Sequence, residues 1–266
     1  MAFHRIDSPS GVVYFRSDKI LLRHGFASRL GGVSRCIHTS SLNQAKGRGD
    51  PDDVVDENRR RFLTALGIAP DSLAHLSQIH SDHVLYAPPS LPRELAGGLK
   101  LEGDGLYTDA AGVALGVKTA DCVPILLYAP DVPAVAAVHA GWRGTVAGIA
   151  AVGCEQLVSL GAKPENIIAA IGPAICYDCY PVGEDILNTA AANLGPTLAR
   201  EFIHEGSDAR LHADLPGLNR RLLLEFGLMD DNIDVCTMCT CHMPGLFFSH
   251  RFSHGRRGTM LSVISL

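Results

Sequence analysis

The sequence predicts a mixed-sheet α/β domain, and three observations lead there. Strand-like runs at Val113 to Lys118, Cys122 to Tyr128 and Ala134 to His139 follow one another directly, unlike the strict strand-helix alternation of a doubly wound fold. The last two runs are almost wholly apolar, as expected of central strands covered on both faces. Helix-like segments nonetheless recur along the chain, which a pure β architecture would not supply.

Taken in order, Val12 to Phe15 and Ile20 to His24 read as short strands leading into a long loop rich in glycine and hydroxyls, Gly25 to Asn43. Loops of that length are usually functional or disordered. Pro51 to Gly67 reads as a helix, with Asp50 as N-cap, Pro51 at its first position and an apolar stripe of Val54, Val55, Phe62, Leu63 and Leu66. Arg60 and Arg61 fit its solvated face, whereas Arg59 is open to another use. Leu76 to His80 reads as a strand with His80 at its end, and Ala96-Gly97-Gly98 as a loop. Pro124 makes the Cys122 to Tyr128 strand imperfect, because proline donates nothing to a ladder. After Ala140-Gly141-Trp142-Arg143-Gly144 a helix is expected over Thr145 to Leu160. Ile167 to Ile171 is a further buried strand, Glu184 to Leu194 and Leu215 to Phe226 are amphipathic helices, and Ile233 to Cys236, Leu246 to Ser249 and Met260 to Ile264 are strands. No linker divides the 266 residues, so one domain spanning 1–266 is the expectation.

Composition narrows the function. With 23 basic and 28 acidic residues, a formal net charge of −5, the chain carries no global basic surface for nucleic acid or an anionic membrane. No run approaches the roughly 18 apolar residues of a membrane span, and the start MAFHRIDSPSGVVYF has no export signal. A soluble, cytoplasmic protein without an obligate protein partner is expected. Eight cysteines then read as thiols, nucleophiles or metal ligands rather than a disulfide framework.

The chemistry centres on His80, Cys122 and His139. Two imidazoles and one thiolate suit zinc, which takes N and S ligands tetrahedrally and, in catalytic sites, keeps a fourth position open. The same residues would serve a metal-free hydrolase with Cys122 as nucleophile and His139 or His80 as base. Arg143, beside the glycine turn at Gly144-Thr145, suits an anion such as phosphate at a helix start, with Arg59 or Arg29 as further candidates. A surface salt bridge is the plainer reading of each arginine. Asn43 and Ser28 could hydrogen-bond a substrate, or simply build turns. Trp142 could stack on a planar ligand, although a lone tryptophan beside a strand end is more often core. Asp121 and Asp104 are candidate acid/base groups. Cys176 and Cys179 form C-x-x-C, and Cys236, Cys239, Cys241 and His242 a second dense group, which superficially suggests a structural zinc.

The segments HGFASRLGGVS, SLN, DENRRRFLTALG, QIHSDHV, DGLYTD, TADCVPILLY, HAGWRGTVAG, IGPAICYDCYPVGED, DLPG and FFSHR resemble the successive motifs of the laccase-domain family. That family was first named for multicopper polyphenol oxidoreductase activity and includes zinc-dependent purine nucleoside phosphorylases. The resemblance spans nearly the whole chain and implies an α-β-β-α layered sandwich with zinc on His80, Cys122 and His139. It also implies phosphorolysis of adenosine, inosine, guanosine and 5′-methylthioadenosine to free base and ribose 1-phosphate, and adenosine deamination. A second metal is not part of what it implies, which leaves Cys176, Cys179, Cys239 and Cys241 as ordinary thiols. The family pattern is broken at Arg35 to Ser40 and at FFSHRFSHGRRGTM, which leaves substrate contacts by Arg251, Arg256 or Arg257 open. Copper is the alternative metal, since imidazole and thiolate bind it too. Multicopper oxidases, however, use paired H-x-H ligands, and none of the twelve histidines forms such a pair.

Overall fold

The computed structural model describes residues 3–89 and 101–266, so the expected loop at Ala96-Gly97-Gly98 lies outside the described residues. The chain opens with strands β1 (Phe3–Asp7), β2 (Val13–Ser17) and β3 (Arg23–Ala27), then helix α1 (Asp52–Ala65). Strands β4 (Leu73–Ala74), β5 (Val84–Tyr86), β6 (Gly105–Thr108), β7 (Ala114–Thr119), β8 (Val123–Ala129) and β9 (Ala134–Ala140) follow. Helices α2 (Trp142–Val146) and α3 (Ile149–Ser159) lead to β10 (Ile168–Ile171), α4 (Glu184–Leu194) and α5 (Pro196–Phe202). The order closes with β11 (Ile203–Glu205), β12 (Leu211–Ala213), α6 (Leu215–Phe226), β13 (Ile233–Val235) and β14 (Met260–Ser265).

Two six-stranded mixed sheets result, ordered β1-β2-β3-β14-β7-β4 and β13-β10-β8-β9-β6-β5. Their layering follows from period-two alternation in the second sheet. Ile125 and Leu127 of β8 and Ala134, Ala136 and Val138 of β9 face the helices, packing with Ile149, Cys154, Leu157 and Leu223. Leu126, Val135 and Ala137 point the other way, into a core shared with the first sheet's Phe15, Phe26, Leu115 and Val263. Phe62 and Leu63 of α1 and Leu66 at its C-cap join that first-sheet core. The order is therefore helix, sheet, sheet, helices, the expected α-β-β-α sandwich. Both faces of β8 and β9 are covered, which is why those runs are apolar throughout.

Four local expectations are corrected. Asp50 is not the N-cap of α1; Pro51 occupies that position, and the Asp50 carboxylate instead accepts from Ser34, Thr39 and Asn43 across the preceding loop. The helix expected over Thr145 to Leu160 is two, parted where Gly148 takes φ 81°, a left-handed turn that costs glycine no Cβ clash. Leu246 to Ser249 is a turn held by Leu246 and Phe247 N–H groups on the Met243 carbonyl; its apolarity reflects burial of Phe247 and Phe248, not strand pairing. Leu76 to His80 makes only a single bridge, Ser77 to Glu102. The Gln78 side chain replaces the ladder there, donating to the Lys118 carbonyl and accepting from its N–H at 2.7 Å each. Among the described residues, no helix is long and apolar enough to cross a membrane.

One buried histidine sets an acid limit. His24, on β3, is 1% exposed; its Nε2 accepts the Ser17 N–H, and Nδ1 donates to the Leu22 carbonyl. Burial pushes its pKa down to about 4, against a small raising effect of the Leu22 bond. The unfolded chain therefore takes up this proton first as pH falls from about 6.5, and the contribution to stability, complete above that pH, is lost toward pH 4. The expected loss is of the order of 3 kcal/mol. Urea unfolding across this range should show a shallower pH slope in His24→Leu than in the parent chain; equal slopes would refute the assignment.

Candidate metal centre

The centre is built around a buried carboxylate that precedes β6. Asp104 Oδ1 accepts from His139 Nδ1 at 2.8 Å and from the His80 N–H at 3.0 Å. Its Oδ2 accepts from the Ser81 N–H at 2.6 Å, the Ser81 hydroxyl at 2.8 Å and the Ile79 N–H at 3.2 Å. Three consecutive backbone N–H groups thus wrap one anion, and His80 takes φ 63° to do so. His80 therefore sits on a tight turn rather than at a strand end. Gly141 adjoins it because a Cβ there would lie 2.8 Å from the His80 ring.

The β8 to β9 register supplies the other two ligands. Pro124 pairs with His139 and Val123 with Ala140, so Cys122, just before β8, arrives beside His139 near the end of β9. The Cys122 Sγ and one ring nitrogen from each of His80 and His139 all lie within 4.8 Å of one another. With Nδ1 committed to Asp104, Nε2 of His139 is the ring atom left for a ligand.

Electrostatics favour the thiolate. Burial opposes ionisation of Asp104, but the bonds from His139 and Ser81 outweigh it and hold the carboxyl well below its usual range. Burial likewise pushes the Cys122 thiol up, and the charges and hydrogen bonds of His139 and His80 overcome it and bring it down. Burial disfavours the His139 imidazolium, yet Cys122 and Asp104 together raise its pKa. The donor set of one thiolate and two imidazoles, one of them oriented by a carboxylate, fits zinc with a position to spare.

Asp121, immediately before Cys122, is pinned at φ 96°. Its Oδ1 accepts from the Thr240 hydroxyl and its Oδ2 from the Arg251 N–H, both at 2.7 Å, while its carbonyl accepts from the Ile175 N–H. Such a conformation costs a non-glycine residue about 1–3 kcal/mol and persists only when its surroundings impose it. Both carboxylate oxygens being engaged, Asp121 acts here as an anchor.

Around the trio lies a cationic and phenolic wall that sequence reading did not assemble. Burial raises Tyr180 to about 12, with Cys122 and Asp121 adding to it and Arg251 and Arg143 opposing. Arg251 sits over the Tyr180 ring at 5.1 Å and donates to the Pro181 carbonyl. Burial lowers Arg257, Arg48 lowers it further, and Asp121 and Cys122 oppose both. Its Nε is buried without a hydrogen-bond partner, while Nη1 donates to Thr259 and the Gly258 carbonyl. His250 is held below its ordinary value by burial and by Arg257. Its Arg251, Arg257 and His250 share the run SHRFSHGRRG, whereas Tyr180 comes from a separate loop.

The remaining candidates are placed as follows. Arg143 is exposed and stacks on Trp142 at 4.3 Å, inside the five-residue α2, whose first residue is Trp142 and not Thr145. Thr145 is fully buried and accepts from Asn219. Trp142 packs partly against the helix-side core. Asn43 is fully buried, donating to Asp50 and the Ala45 carbonyl and accepting from the Ala45 and Thr259 N–H groups. Ser28 accepts from the Leu30 N–H in a turn. Arg29 donates to the Ser40 and Pro244 carbonyls and lies over Phe248. Arg59 donates to the Gln44 carbonyl and pairs with Asp56. All four fasten the loop 28–44.

Among the described residues a second cluster gathers Cys176, Cys179, Cys239 and His242, their ligand atoms also within 4.8 Å of one another. Cys241 contacts Cys179, whereas Cys236 is buried apart.

Fold and site together define a layered α/β protein that brings a thiolate and two imidazoles to one buried carboxylate. The chain belongs to the family described as multi-copper polyphenol oxidoreductase laccase, whose sequence profile matches residues 23–266. It is 40% identical to a purine nucleoside phosphorylase of Deinococcus radiodurans, over 96% of this chain and 94% of that protein. It is 34% identical to adenosine deaminase RL5 of an unknown prokaryotic organism, over 85% of this chain and 87% of that one. In structure it is similar to YlmD from Geobacillus stearothermophilus, with a TM-score of 0.85, 35% identity and 95% of each chain covered.

Proposed function

We propose that this chain is a zinc-dependent purine nucleoside phosphorylase with adenosine deaminase activity. The observation that carries the reading is the convergence of His80, Cys122 and His139 on one point, with Asp104 behind His139. Adenosine, inosine, guanosine and 5′-methylthioadenosine are the proposed nucleosides. Held by these three residues, zinc supplies Lewis acidity and activates water at neutral pH.

The chain's own groups account for the rest. In phosphorolysis an oxygen of hydrogen phosphate bonds to ribose C1′ as the bond to the purine breaks; the purine leaves with the electron pair and takes up the proton that the phosphate gives up, and ribose 1-phosphate forms. Cationic donors are needed where phosphate sits against the electron-poor sugar. Arg257, with its unpartnered Nε, and Arg48 and Arg143 beside the same wall supply them, in place of the engaged Arg29 and Arg59. Tyr180 keeps its proton at neutral pH, since its pKa is about 12, and serves as a donor to substrate. Asp104, an anion with both oxygens committed, orients His139 rather than carrying protons.

The relatives' names support this reading over copper chemistry, as does a trio offering one metal position. The test is a phosphate-dependent assay on adenosine and inosine with metal-quantified protein. Free base and ribose 1-phosphate should appear, and Cys122→Ala should lower the rate by at least about 100-fold together with bound zinc. Full activity in metal-free protein would transfer the assignment to a hydrolase using Cys122. Arg257→Gln should raise KM for phosphate by about tenfold while leaving that for nucleoside unchanged; equal effects on both would remove Arg257 from the phosphate site.

A further inference from the structure

We infer that Cys176, Cys179, Cys239 and His242 form a second, structural zinc site that staples the two loops anchoring Asp121. Three thiols and one imidazole within 4.8 Å of one another are the Cys3His set of closed zinc sites, which leave no position for substrate. The spacing repeats in both halves: Cys176-x-x-Cys179 on one loop and Cys239-x-x-His242 on the other. Each pair is presented by a tight turn, one closed by the Cys179 N–H on the Cys176 carbonyl, the other by the Met243 N–H on the Cys239 carbonyl. Cys176 Sγ and His242 Nδ1 stand 3.8 Å apart, close to the roughly 3.6 Å edge of a tetrahedron with Zn–S about 2.3 Å and Zn–N about 2.0–2.1 Å. The Cys176 N–H also donates to Cys239 Sγ at 3.4 Å, a bond that favours a thiolate there.

The placement gives the site a task. The loops run parallel, joined by the Ala174 to Cys239 bridge and the Thr240 N–H on the Ala174 carbonyl. Ile175, next to Cys176, and Thr240, next to Cys239, are two of the residues that clamp Asp121 at φ 96°. An ion crosslinking Cys176, Cys179, Cys239 and His242 therefore fixes the backbone from which Cys122 projects. It takes no part in turnover, and the assignment stands independently of which reaction the first cluster performs.

Metal analysis of the full chain, purified without chelator, tests it. About two zinc ions per chain are expected in the parent, and about one in each of Cys176→Ser, His242→Ala and Cys122→Ala. Cys236→Ser, whose thiol lies outside both clusters, should retain about two. One zinc in the parent that disappears wholly in Cys122→Ala would overturn the inference. So would an unreduced intact mass showing a Cys176–Cys239 disulfide. If Cys176→Ser does not fold, cobalt loading of Cys122→Ala decides: intense thiolate charge-transfer bands support the second site, and their absence refutes it.

Discussion

Asp104→Asn is expected to weaken zinc binding at His80, Cys122 and His139 by about 100-fold, at the upper end for residues that orient a metal ligand. Both Asp104 oxygens receive N–H groups: His139 and His80 on one side, Ile79 and Ser81 on the other. Whichever way the amide turns, its NH2 meets donors it cannot accept from. Each lost bond to a charged acceptor is worth about 1.5–3 kcal/mol, so the metal-free protein should also lose about 3–5 kcal/mol. A second readout separates orientation from mere instability. Asp104 helps to raise His139, whose proton must leave when metal binds, so affinity rises with pH until that imidazolium is titrated. Without the carboxylate this dependence shifts to lower pH. Chelator competition at several pH values measures both; unchanged affinity would sink the claim.

A comparable loss of stability is expected at Gly31→Ala. Gly31 has φ 94°, and a Cβ there would lie 2.3 Å from the Gly11 carbonyl oxygen and from Val12 Cα, both backbone atoms that cannot swing aside. Left-handed strain and overlap add, so a loss of about 4 kcal/mol is expected, read as a fall in the urea midpoint at constant slope. Gly11→Ala is the comparison, because φ is 82° there but nothing lies within 4 Å. Strain alone should cost it about 1–2 kcal/mol. Equal losses in the two variants would remove the packing argument for Gly31.

The parts of the molecule legible in sequence are those whose signal is local. β8 and β9 announced themselves by apolarity, and α4 and α6 begin and end where the sequence places them, the latter with the Asp214 side chain accepting from Gly217 and Gly227 closing it in the left-handed region. His80, Cys122 and His139 stand out in the sequence by residue type, and the register of β8 on β9 shows why two of them meet. His80 departs from the strand expected of it because the N–H groups of Ile79, His80 and Ser81 all donate to the distant Asp104 carboxylate, and these bonds outweigh strand propensity. Asn43, a candidate substrate contact, and Asp50, an expected N-cap, spend their polarity on each other and on Ser34, Thr39 and Thr259. The meeting of Cys176 and Cys179 with Cys239 and His242, about sixty residues further on, depends on a parallel loop bridge that no spacing rule encodes.

Strand β14 pairs with β3 on one side and β7 on the other. Without it the first sheet would fall into two pieces, β1-β2-β3 and β7-β4, each with an unpaired edge. Both neighbours come from far earlier in the chain, so the entropy of closing long loops is spent before β14 can pair. Insertion of β14 is therefore expected to be a late and slow step of folding, and a chain cut before Met260 would leave two strand edges open to association.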